Sequence, residues 1–140
     1  MIIKTRRLAV VALMMSLSSP VLAQSADIDM TAITAAIEAE CAKSAEACEL
    51  AVSAAIERLS SAGIVGDALN SELGVIGVAA LTGSVALPPA EKLKLAATFT
   101  VISTASTNPS QKVAFAEAAV SFEAGTSVDP VAVSSTLSPN

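Results

Sequence analysis

The stretch Ser44–Ala62, SAEACELAVSAAIERLSSA, limits the fold more than any other part of the chain. Cys48, Val52, Ala55, Ile56 and Leu59 recur at intervals of three and four residues, and Glu49, Ser53, Glu57 and Ser60 fall on the opposite side. That is the period of an amphipathic α-helix with one face turned to a core. Ser44 is placed to cap it, Glu46 and Glu49 suit its positive N-terminal end, and Gly63 stops it.

The same period continues on both sides. Asp27 or Asp29 caps a preceding helix that runs to about Ala42, with Ile33, Ile37 and Cys41 on one face. Between Leu73 and Leu87 the chain carries no charge but holds Gly74, Gly77 and Gly83. This reads as a central helix, apolar on nearly all sides and buried by its neighbours. Pro88-Pro89 opens a further helix to about Ala105, with Leu95, Phe99 and Ile102 inward. Asn108-Pro109 opens the last, patterned by Val113, Phe115, Ala119 and Phe122 and ended by Gly125. Residues 126–140 show no helical period and read as a disordered tail. The expected fold is all-α: a small bundle of about five helices over residues 24–125, with two helical hairpins around a central apolar helix.

A shift of 64 lays residues 44–56 on 108–120 and Ile37 on Val101. A duplicated hairpin would give this match, and so would the chance agreement of two alanine-rich helices. In the second copy Ala105 and Lys112 replace Cys41 and Cys48.

The N-terminus speaks to compartment. Lys4, Arg6 and Arg7 precede an apolar run from Leu8 to Leu17, and Val21 and Ala23 are small residues before Gln24. This is the layout of a secretory signal peptide, residues 1–23, cleaved after Ala23. The apolar run is too short to span a bilayer, which takes about 20 apolar residues. The expected location is the periplasm or the exterior. The exported chain would hold 117 residues, with five basic against thirteen acidic side chains and a formal charge of −8. So negative a chain is repelled by nucleic acids and by anionic lipid headgroups.

Cys41 and Cys48 are the only cysteines. On one continuous helix, residues seven apart lie about 10.5 Å apart along the axis, beyond the roughly 7 Å that a disulfide tolerates between Cα atoms. The turn signalled at Lys43 and Ser44 removes that obstacle and places both in the seam of a hairpin. Export favours the bond. The spacing is not the C-x-x-C of redox proteins, and two thiolates beside Glu40, Glu46 and Glu49 with no histidine make a poor metal site.

The chain has no His, Trp or Tyr, so histidine-based catalysis is excluded within it. Three phenylalanines leave little with which to stack bases or sugars. No acidic pair reads as a catalytic couple, and no cofactor is expected. The sequence therefore points to a non-enzymatic exported protein with a structural or protein-interaction role, through self-association or a partner protein. Two alternatives are a lipid-binding protein acting through residues 73–87 and a periplasmic chaperone that responds to acid.

Overall fold

The structure is a computed structural model that describes residues 27–137. The leader and its cleavage point, like residues 138–140, lie outside the described residues. Six helices account for the secondary structure of the described chain: α1 Met30–Cys41, α2 Ala45–Ser61, α3 Gly66–Ser84, α4 Pro89–Ala105, α5 Pro109–Glu123 and α6 Pro130–Leu137. The fold is an all-α bundle.

Local chemistry sets the ends. The Asp29 carboxylate accepts from the Ala32 N–H, and the Ser44 hydroxyl accepts from the Ala47 N–H. Asn108 Oδ1 accepts from both Ser110 and Gln111, satisfying N–H groups that a helix start leaves unpaired. Pro89 and Pro109 occupy first helical positions, where a missing N–H is harmless. Gly63 and Gly125, at φ of +80° and +71°, reverse the chain after α2 and α5. Each is followed by a backbone bond that closes the last turn, Ile64 N–H to Leu59 O and Thr126 N–H to Ser121 O.

α3 is the centre of the bundle and packs against each of the other five helices. Leu73, Ile76, Ala79, Ala80, Leu81 and Leu87 are all buried, so the uncharged stretch supplies core. No helix among the described residues is long and apolar enough to cross a membrane. Two of the glycines in α3 make room for neighbours. A Cβ at Gly77 would overlap the Phe115 ring, with the ring's Cζ at 2.8 Å. A Cβ at Gly83 would collide with the Glu38 carbonyl of α1 and lie 2.9 Å from Cys41 Cβ. The chain's three phenylalanines gather behind Gly77: Phe99 stands 6.3 Å from Phe115 and 5.2 Å from Phe122, centroid to centroid.

Two expectations need correction. The segment 126–140, read as a disordered tail, contains α6. Asp129 Oδ1 accepts from the Val131 N–H at its start, and Val128 and Val133 pack against the core. An eight-residue helix is too short to show an apolar period of its own, and the packing that holds it comes from α3 and α5. The bundle therefore has six helices, one more than expected.

Val113 does not share the inner face of α5. It is 56% exposed, because two residues along a helix turn it to nearly the opposite side from Phe115.

The hairpins α1–α2 and α4–α5 agree in their ends at a shift of 64, but not in what they bury. Cys48, Val52, Ala55 and Leu59 map onto Lys112, Ala116, Ala119 and Glu123, of which Ala119 alone is buried. α5 buries Gln111, Phe115, Ala118 and Phe122, a set one residue earlier and so about 100° around the helix. Alanine-rich helices with matched caps align in sequence whatever face they bury.

Candidate functional site

The elbow between α1 and α2 brings the cysteines together. α1 ends at Cys41, three residues turn the chain, and α2 starts at Ala45. The Cα atoms of Cys41 and Cys48 come to 4.0 Å, and the two are joined in a disulfide with both residues wholly buried. The helical repeat that would separate them is broken where Ser44 caps α2. Gly83 lets α3 lie directly on this elbow, so the bond is sealed from the α3 side.

A carboxylate from a distant helix completes the elbow. Glu91, in the first turn of α4, accepts the Ala45 N–H at 3.0 Å through one oxygen and the Lys94 ammonium at 2.7 Å through the other. It is thus a cap for α2 supplied from α4. The Lys94 ammonium first, and the Ala45 N–H second, hold the Glu91 carboxyl below its ordinary value. Glu91 in return raises Lys94. On the outer side Lys43 pairs with Glu40 at 2.6 Å, an exposed contact worth little.

Glu40, Glu46 and Glu49 do not converge with the cysteines. Among the described residues no three His, Cys, Asp or Glu side chains are grouped as they would be around a metal ion. With both sulfurs in a disulfide, the elbow offers neither a thiolate nucleophile nor a thiolate ligand.

The second elbow, between α4 and α5, holds a polar cluster that the sequence did not single out. Asn70 of α3 accepts from the Thr107 N–H at 2.9 Å and from Ser106 Oγ at 3.1 Å, and its amide donates to Thr107 Oγ1 at 2.9 Å. Gln111 donates to the Asn70 carbonyl at 2.7 Å, and its own Oε1 lies 2.7 Å from Ser106 Oγ. Asn70, Ser106 and Gln111 are all buried. One signal was present: Asn108 and Gln111 have capping-box spacing, which predicts that Gln111 folds back on its own helix start. Instead its amide crosses to α3, a choice that depends on where Asn70 lies in space. Gln111 takes the place in the α5 face that Cys48 takes in α2, so one elbow is closed by a covalent bond and the other by hydrogen bonds.

Comparison of the chain with family models, with curated proteins and with solved structures finds no match.

Proposed function

We propose that the protein is an exported, non-enzymatic helical module that works through contacts with other protein. The observation that carries this reading is the outward face of α5. Val113 and Val120 are 56% and 63% exposed, and Ala116 and Ala124 lie exposed beside them. The inner face of the same helix carries Phe115, Ala118, Ala119 and Phe122. Glu117 is the one carboxylate beside Val113, Ala116 and Val120 among the described residues, so α5 shows water a largely apolar face, whereas a helix at the rim of a bundle normally turns a polar one to it.

The interior supports a structural role. Asn70, Ser106 and Gln111 bond to one another, Ser103 bonds to the Lys112 carbonyl and Ser84 to the Leu81 carbonyl. These buried polar groups join helix to helix or cap a helix end. The buried disulfide suits an oxidising compartment, which agrees with the leader-like N-terminus.

Photo-crosslinking in intact cells tests the reading. A crosslinker at position 120 is expected to give discrete protein adducts, and one at Glu57, on the polar side of α2, is expected to give none. Absence of adducts at position 120, or catalytic turnover by the purified protein on a broad panel of hydrolase and redox substrates, would defeat it.

A further inference from the structure

The bond between Asp129 and Pro130 is the chain's one Asp-Pro linkage, and it stands where α6 begins. We infer that this bond is a self-cleavage site: in acid the folded chain cuts itself there and releases α6.

The chemistry needs a carboxylate that reaches the carbonyl carbon of its own residue and a nitrogen that leaves readily. Aspartate has the reach, because attack closes a cyclic anhydride with little strain, whereas glutamate must fix one more bond rotation to do the same. Proline supplies the leaving group. Its ring nitrogen is more basic than an ordinary amide nitrogen once the carbonyl is attacked, and it departs as a secondary amine.

The fold holds both parts in place. Asp129 Oδ1 accepts the Val131 N–H at 2.9 Å. That hydrogen bond closes a ring through the Asp129 C–Pro130 N bond, so the carboxyl is swung to the side of its own carbonyl carbon and kept out of the staggered well that points away from it. The Asp129 carbonyl oxygen accepts the Val133 N–H at 3.2 Å, a donor aimed at the atom on which negative charge develops. Asp129 is exposed and lines the trough between α5 and α6, so water and acid reach the bond. Glu117 of α5 is the other titratable residue that lines this trough; α3, which also packs on α6, contributes none to it, and α6 carries no charge.

A carboxylate oxygen of Asp129 bonds to the Asp129 carbonyl carbon. The C–N bond to Pro130 breaks, its electron pair goes to the proline nitrogen, and that nitrogen takes a proton from the acidified solvent. Asp129 is left as a cyclic anhydride, which water opens to the side-chain carboxyl and a new C-terminal carboxyl. The net change is hydrolysis, with one water consumed. Attack requires the ionised carboxylate and departure requires acid, so the rate rises as the pH falls toward the ordinary aspartate value of about 3.9. Release of residues 130–140 carries Val133 away from the core it packs against, and uncovers the flanks of α3 and α5.

Intact mass of the purified full chain, followed over time at the lowest pH that keeps its helical circular dichroism, tests the inference. A single cut after Asp129 is expected, several-fold faster than in the same chain at the same pH in urea, where the carboxyl is no longer held. Asp129→Glu, which keeps the charge but lengthens the side chain, should abolish the cut in both states. The cut chain should bind a hydrophobic dye more strongly than the intact one. The inference is overturned by the absence of a cut in the folded chain, by a cut no faster than in urea, by a cut that survives Asp129→Glu, or by dye binding that cutting leaves unchanged.

Discussion

Thr98 is wholly buried in α4, and its hydroxyl has no hydrogen-bond partner among the described residues. A buried donor left unpaired costs about 1–3 kcal/mol. Thr98→Val keeps the shape and removes the hydroxyl, so it should raise the free energy of unfolding by about 1 kcal/mol. Urea denaturation checks this, with the midpoint rising and the slope unchanged. The glycines of α3 act in the opposite direction. Alanine has the better helix propensity by about 1 kcal/mol, but at Gly83 its methyl would strike the Glu38 carbonyl and Cα, which are backbone. At Gly77 it would strike the Phe115 ring, a side chain that can turn. Gly83→Ala should therefore destabilise by about 1–3 kcal/mol net of propensity, and Gly77→Ala by less. Equal losses in thermal melts of the two variants would show that helix α1 yields as readily as a ring. In sequence these glycines read as interruptions of a helix. Which atoms they admit depends on helices about 40 residues away along the chain, so their role was not legible there.

At the scale of the element, most of the fold was written in the chain's local chemistry. Asp29, Ser44, Pro89 and the pair Asn108-Pro109 mark four helix starts, and Gly63 and Gly125 mark two ends, because caps act within a few residues of their own position. Cys41 and Cys48 were legible for the same reason: a pair of residues seven apart across one turn is a local object. Replacing both by alanine should lower stability by about 2–3 kcal/mol, the loop entropy the bond removes from the unfolded chain. Both sulfurs are buried, so alkylation after a reductant should modify neither cysteine in native protein and both after denaturation, as read by intact mass. Glu91 was not legible, since its role is to cap a helix that starts 46 residues earlier. Its folded carboxyl titrates below the ordinary 4.5. A lowered folded value stabilises the native state above the unfolded value and loses that contribution as pH falls through the folded one. The part of the stability that Glu91 contributes should therefore be lost as the pH falls below 4.5. Glu91→Gln should flatten part of the pH dependence in that window while leaving the dependence above it unchanged, which melts across a pH series can show.

For the whole molecule, the decisive fact is that α3 packs on every other helix. A central helix must be apolar on most of its surface, and that property was visible in the sequence from Leu73 to Leu87. Which helices surround it was not, because alanine-rich faces fit many partners, and the choice falls to a few shaped contacts such as Phe115 in the space at Gly77. The same logic explains why α6 was missed. It has eight residues and no charge within it, so it forms where α3 and α5 leave an apolar flank for it and not from its own propensity. Val128 and Val133 are only partly buried, so its docking is worth about 1–3 kcal/mol by area. Ending the chain at Gly125 should lower the melting temperature and increase binding of a hydrophobic dye, because the flanks of α3 and α5 lose their cover. Val133→Asp should give the same effects in weaker form, with the disulfide elbow at the other hairpin unaffected in its resistance to reductant. A melting temperature unchanged by truncation would mean that α6 rests on the bundle without stabilising it, and that α3 needs four neighbours and not five.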